Sequence, residues 1–95
     1  MKMILYTQGG CIHCTKVKGI LQRMLPEFGL EYASTVLEIG IDDAEVLAEF
    51  IMMGAESVPV IVMGSSCLFG PLVLDEVRLR SLITANLDTL KQPTE

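Results

Sequence analysis

Two cysteines three residues apart, Cys11 and Cys14, follow a short apolar run and open a segment of helical periodicity. No other feature constrains the chain as strongly. A helix turns once in about 3.6 residues, so positions three apart stack on one face. Their side chains then meet the Cα separation of roughly 4.4–6.8 Å that a disulfide requires. The unpaired N–H groups and positive dipole end of a helix N-terminus favour a thiolate over a thiol. Thiolate is the nucleophile of disulfide exchange, so Cys11 reads as the attacking sulfur and Cys14 as the resolving one. The pair also fits half of a zinc site, or two buried residues that happen to be cysteines. Zinc would need two further ligands. The remaining imidazole and thiolate donors are His13, expected on another side of the helix, and the distant Cys67. Redox chemistry is therefore the preferred reading.

The 95 residues fit one domain, expected over 1–91 with a loose tail at 92–95. Apolar residues make up 51% of the chain, enough for a core that needs no disulfide staple. The net charge is −5 and only Lys16, Lys18 and Arg23 lie close together, which argues against nucleic acid as a partner. Met1-Lys2-Met3 leads directly into an apolar stretch too short for a signal-peptide core or a membrane span. The expectation is a cytoplasmic, thiol-reducing setting, where cysteine pairs are catalytic rather than structural. An odd cysteine count fits poorly with a structural disulfide framework.

Lys2 to Thr7 reads as a buried strand closed by Gln8-Gly9-Gly10. From Ile12 to Leu25 the stripe Val17, Ile20, Leu21, Met24, Leu25 marks an amphipathic helix. Cys14 lies three residues before Val17 and leans onto that stripe, whereas Cys11 stays at the exposed end. Gly19 within the helix suggests close packing, and Pro26 and Gly29 end it. Glu31 to Ile39 alternates weakly and predicts a strand. Asp42 is the expected N-cap of a helix over Asp43–Met53, with Glu45 completing a capping-box-like pair and Val46, Leu47, Phe50, Ile51 and Met53 facing inward. Met52 and Met53 read as core filling rather than metal ligands. Val58 to Met63 predicts a strand whose Pro59 belongs at an edge or a special junction. Gly64-Ser65-Ser66 then turns into a short returning strand at Cys67–Phe69, and a final helix is predicted over Leu72–Leu90. The order is β-α-β-α-β-β-α: an α/β chain with a four-stranded mixed sheet flanked by three helices.

A first strand, a Cys-x-x-Cys at the following helix start and a Val-Pro opening a later strand resemble the thioredoxin fold, in its glutaredoxin-like branch. The likeness spans about Lys2 to Leu90, with Tyr6-Thr7-Gln8-Gly9-Gly10-Cys11-Ile12-His13-Cys14 as its central stretch. It implies that Pro59 follows a cis peptide and faces the cysteine pair, and that the peptide of Val58 pairs with the backbone of a bound substrate. It also implies a protein-disulfide reductase with no bound cofactor beyond a redox-active Cys11–Cys14 disulfide, acting as a monomer. The expected docking patch is Gly9, Gly10, Ile12, Val58 and Pro59. Gln8 replaces a lysine that in relatives holds the carboxylate of glutathione. Leu68-Phe69-Gly70-Pro71-Leu72 lacks the Gly-Gly-Cys-Asp-Asp segment that grips its other end. The resemblance therefore implies thioredoxin-like electron supply, from a separate reductase or a low-molecular-weight thiol. The implied protein substrates are ribonucleotide reductase or another thiol-dependent enzyme, with no nucleic acid and no membrane.

His13, inside the motif, is expected to stabilise the Cys11 thiolate; a solvated side chain of little effect is the plain alternative. Cys67 reads as a half-buried strand cysteine rather than a third redox thiol. Two rivals remain open. One is a carrier holding a metal or an iron–sulfur cluster on Cys11 and Cys14. The other is an interaction module whose cysteines are vestigial.

Overall fold

Met3–Thr7 form strand β1, and every second side chain, Met3 and Leu5, is fully buried in one layer of core. Ile4 and Tyr6 point the other way into a second layer. A strand apolar on both faces lies between two covering layers, and β1 does. The computed structural model describes residues 3–55 and 57–91; Lys2, expected in the first strand, and the tail Gln92–Glu95 lie outside them.

The sheet has four strands in the order β2-β1-β3-β4, with β2 at Val36–Gly40, β3 at Val60–Met63 and β4 at Ser66–Phe69. β1 runs parallel to β2 and antiparallel to β3, which pairs antiparallel with β4. The expected mixed four-stranded sheet is thus present. β3 and β4 are joined by Gly64-Ser65, and of these two residues Gly64 alone has a positive φ (+61°). That is what a two-residue turn with glycine in its first position asks for.

Helix α1, Ile12–Met24, buries Val17, Leu21 and Met24 against the Met3/Leu5 face, and Cys14 is buried in its first turn. It passes into a 3₁₀ turn at Leu25–Phe28 that holds Pro26, and Gly29 at φ +75° ends it. Helix α3, Ala44–Met52, covers the opposite face, where Phe50 meets Tyr6 edge-on with ring centroids 5.7 Å apart. Helix α4, Glu76–Ala85, returns to the α1 side through Leu79 and Ile83.

The structure corrects several expectations. Glu31–Thr35 is no strand: Tyr32–Thr35 make one helical turn, α2, in which Thr35 N–H donates to the Glu31 carbonyl and Thr35 is buried. Half-buried Tyr32 and buried Thr35 are three apart, the spacing of one helical turn, and strand pairing begins at Val36. The N-cap of α3 is Asp43, whose carboxylate accepts from Glu45 and Val46 N–H, and not Asp42. Glu45 is therefore itself a recipient of capping. Of the five residues assigned to the inner face of α3, Phe50 is buried and Val46 and Met53 pack half-buried against the same cluster. A nine-residue helix covers only a short stretch of sheet, and Leu47, Ile51 and Met52 stay exposed. The last helix is broken in three. Gly70–Leu74 is a 3₁₀ turn, Asp75 then caps α4 by accepting from Val77 and Arg78 N–H, and Asn86 ends it before α5, Leu87–Leu90. The described residues thus hold five α-helical segments rather than three. Pro59 precedes β3, which is an inner strand, so its position is a junction and not an edge.

Gly19 packs against nothing: a Cβ built there meets no atom within 4 Å. The close packing expected of it is absent, and only the entropic cost of a helical glycine remains. Gly19→Ala is expected to stabilise the protein by about 0.5–1 kcal/mol, seen as a higher urea midpoint at unchanged slope. An unchanged or lower midpoint would count against a solvent-facing Gly19.

Candidate active site

The end of β1 delivers the cysteine pair. After Thr7 the chain turns through Gln8-Gly9-Gly10, with Cys11 N–H donating to the Gln8 carbonyl at 3.3 Å. Gly10 has φ +77°, a left-handed conformation that side chains rarely adopt, so the turn depends on glycine here. Cys11 is extended (φ −81°, ψ 111°) and is the N-cap of α1, just outside the first turn in which the pair was expected. Its Sγ accepts the Cys14 N–H at 3.0 Å, the role a serine or aspartate oxygen plays at other helix starts. Its carbonyl accepts from Thr15 N–H and Thr15 Oγ1, each at 3.3 Å. The Cα atoms of Cys11 and Cys14 are 5.2 Å apart and the sulfurs are bonded. Cys11 is half-buried, whereas Cys14 is only 2% exposed. One sulfur is reachable and stabilised by a helix N–H; the other is sealed beneath it.

Two hollows flank the pair. One, of about 340 Å³, is lined by Gly10, Cys11, Ile12, Cys14, Lys18 and their neighbours. The other, of about 290 Å³ and largely apolar, is lined by His13, Ser57, Val58, Pro59, Gly70, Pro71 and Leu74. The structure thus splits the expected site residues. Gly10 and Ile12 share the cysteine hollow, while Val58 and Pro59 form the neighbouring one, and His13 joins the latter. The Val58–Pro59 peptide is cis, as the resemblance implied. Ile12, 71% exposed, stands free as an apolar knob at the mouth of the cysteine hollow. Ser57, Gly70, Pro71 and Leu74 escaped sequence reasoning, because the β3–β4 register, with Val60 opposite Phe69, is what carries Gly70 and Pro71 alongside Pro59. Cys67 lies on the edge strand β4 and is exposed, not half-buried. Among the described residues no three or more His, Cys, Asp or Glu side chains gather as a metal-binding group, so a metal on Cys11 and Cys14 would find only those two ligands within one copy of the chain.

Lys18 was also missed, although its place four residues after Cys14, on the same helical face, was readable. Its Nζ lies 2.9 Å from Glu38 Oε1, and Tyr32 Oη donates to Glu38 Oε2 at 2.7 Å. Glu38 sits opposite Leu5 in the register of β1 and β2, hence on the α1 side of the sheet. The Lys18 hydrogen bond, followed by that of Tyr32, holds the Glu38 carboxyl below the usual carboxylate range. Burial, then the bond to Glu38, pushes the Tyr32 phenol up.

No protein-family model matches this sequence, and no curated protein matches it. Solved structures do. The chain is similar to a glutaredoxin from Brucella melitensis, with 29% identity, a TM-score of 0.57, and coverage of 95% of this chain and 87% of that one. It also superposes on oxidised glutaredoxin 2 from Chlamydomonas reinhardtii at 19% identity and a TM-score of 0.54, covering 94% and 78% of the two chains, a likeness of fold.

The Glu38 ion pair has a definite pH signature. A carboxyl with a lowered folded pKa contributes stability in full above its unfolded value and loses it as pH falls through the folded value. With both partners over a third exposed, the contribution is below about 1 kcal/mol. Glu38→Gln is therefore expected to lower the urea midpoint slightly at neutral pH. The deficit should shrink from about pH 5 toward about pH 3. A deficit that grows in acid would contradict the assignment.

Proposed function

We propose, for this glutaredoxin-like protein of the thioredoxin fold, the work of a protein-disulfide reductase within the thiol–disulfide oxidoreductase class that its fold and Cys11–Cys14 pair support. One observation carries the reading. The half-buried Cys11 Sγ receives the Cys14 N–H at the start of α1, while Cys14 itself is buried. A negative charge forming on Cys11 is met by that N–H and by the positive end of the helix, so Cys11 is the nucleophile. Its thiolate attacks one sulfur of a partner disulfide, and the other sulfur leaves as a thiolate. Cys14 then attacks the Cys11 sulfur, the partner departs as a thiolate that takes up a proton, and two electrons have passed from the pair to the partner.

The partner chain lies across Gly10 and Ile12 on one side and Val58 and Pro59 on the other, with Val58 offering its backbone to an extended segment. His13, lining the Pro59 hollow, touches that segment and tunes Cys11 from outside the cysteine hollow. Electrons return from a separate reductase or a low-molecular-weight thiol, and no bound cofactor takes part. We place the protein in the cytoplasm as a monomer serving a thiol-dependent enzyme such as ribonucleotide reductase. Among the described residues no helix is long and apolar enough to cross a membrane.

The test is a pair of variants on a protein disulfide: Cys11→Ser assayed for turnover with a thiol donor, and Cys14→Ser reduced beforehand and mixed with the disulfide after the donor is removed. Cys11→Ser is expected to reduce turnover to background. Cys14→Ser is expected to accumulate a stable mixed disulfide on Cys11, seen as a mass adduct that a reductant removes. Cys67→Ser should behave as the parent. Turnover surviving in Cys11→Ser, or an adduct on Cys67 instead, would refute the assignment.

A further inference from the structure

The reductase reading leaves one chemical difficulty, and the structure holds an answer to it. Cys14 is 2% exposed, and burial in apolar surroundings disfavours a thiolate. The helix N-terminus gives it little relief, because the backbone N–H available at its position is directed to Cys11 Sγ. Yet the second step of the cycle needs Cys14 as the nucleophile.

Lys18 is placed to meet that need. It follows Cys14 by four residues, one turn along the same face of α1. Long side chains on a helix lean back toward its N-terminus, here toward the cysteines. Lys18 lines the hollow that Cys11 and Cys14 share and is the one cation among its lining residues. A free lysine would spread over many rotamers. This one is tied to Glu38 Oε1 at 2.9 Å, and Glu38 is fixed in turn by Tyr32 Oη at 2.7 Å. The tether comes from β2 and α2, two elements outside α1, so the ammonium is set by the tertiary fold.

Apart from Glu38, whose carboxylate partly offsets the ammonium it holds, no charged side chain joins Lys18 among the lining residues of the cysteine hollow. On α1, His13 belongs to the Pro59 hollow and Lys16 is exposed. Gln8-Gly9-Gly10 brings no charge, and neither do Ser57–Pro59 or Gly70–Leu74. From β2 the facing group is Glu38, which reaches this region through Lys18.

We propose that Lys18, positioned by Glu38 and Tyr32, is the charge that readies the buried Cys14 thiol for the resolving step. This rests on the reading of Cys14 as the resolving thiol. In the step, Cys14 releases its proton to solvent, with the nearby ammonium stabilising the thiolate. The Cys11–Cys14 bond forms as the bond from Cys11 to the partner sulfur breaks. The partner leaves with the electron pair and takes a proton from water, so the pair is oxidised and the partner reduced.

The two steps separate in a rapid-mixing experiment with reduced full-length protein carrying Cys67→Ser. The probe is 2,2′-dipyridyl disulfide, uncharged at neutral pH, which releases one absorbing thione on attack by Cys11 and a second on resolution by Cys14. Lys18→Met is expected to slow the second release about 3- to 10-fold at neutral pH and to move its pH midpoint up by about half to one unit. The first release should stay within about twofold, since the Cys14 N–H still serves Cys11. Lys18→Arg, which keeps the charge and can pair with Glu38, is expected to restore the second phase. A second phase unchanged in Lys18→Met, or slowed equally in Lys18→Arg, overturns the proposal while leaving the dithiol cycle standing. A parent protein that releases one thione and no second overturns the dithiol reading itself.

Discussion

β1 must be covered on both faces, and this requirement sets the frame for everything that follows. Met3 and Leu5 commit one side of the strand to α1 and α4, and Ile4 and Tyr6 commit the other to α3. β1 therefore sits inside the sheet, between the parallel β2 and the antiparallel β3. Burial of side chains such as Leu5 contributes on the order of 1.5–3 kcal/mol each. The strand is thus a firm base, and its C-terminal end is a fixed point in space. Thr7 is further held by its carbonyl, which accepts from Ile41 N–H at 2.9 Å. The glycine turn that follows spans a short gap between that point and the start of α1.

The same short connection separates the two sulfurs chemically. With Gly10 in the left-handed region, the chain reaches Cys11 in an extended conformation and turns helical only at Ile12. One cysteine becomes the cap and the other joins the buried stripe of α1. Neighbours in space, they differ in solvent access and in hydrogen bonding, and a dithiol that attacks and then resolves needs that asymmetry. The Lys18–Glu38–Tyr32 cluster extends it into the sheet, so that β2, distant in sequence from the cysteines, touches their chemistry.

Much of this was legible in the chain. The Cys-x-x-Cys at a strand-to-helix boundary, the stripe from Val17 to Met24 and the Gly64 turn each follow from local rules, and each has its counterpart in the structure; for Pro59 those rules left an edge or a junction open, and the inner place of β3 decides for the junction. What was illegible depends on partners that local rules do not name. The weak alternation from Glu31 to Ile39 does not show where strand pairing starts until Val36 pairs with Met3. Asp42 and Asp43 are interchangeable as caps on paper; the one whose carboxylate reaches Glu45 and Val46 N–H is decided by how the chain leaves β2. Leu47 and Ile51 have the spacing of core residues, yet the sheet beneath α3 offers burial to Phe50. The long apolar spacing from Leu72 to Leu90 concealed two breaks, because Asp75 binds the backbone at the start of α4 and Asn86 binds it at the end. The hollow beside Pro59 is assembled by strand register, which no dipeptide announces.

The central claim is that Cys11 and Cys14 form one redox couple in which Cys67 takes no part. Its most direct measurement is mass-resolved alkylation of the protein, with metal content determined, across a graded series of dithiol/disulfide buffers. The structure predicts a single two-electron transition confined to Cys11 and Cys14, with Cys67 alkylated at every potential. Pairing of Cys67 with either of the others, or no transition with metal retained by Cys11 and Cys14, would contradict it.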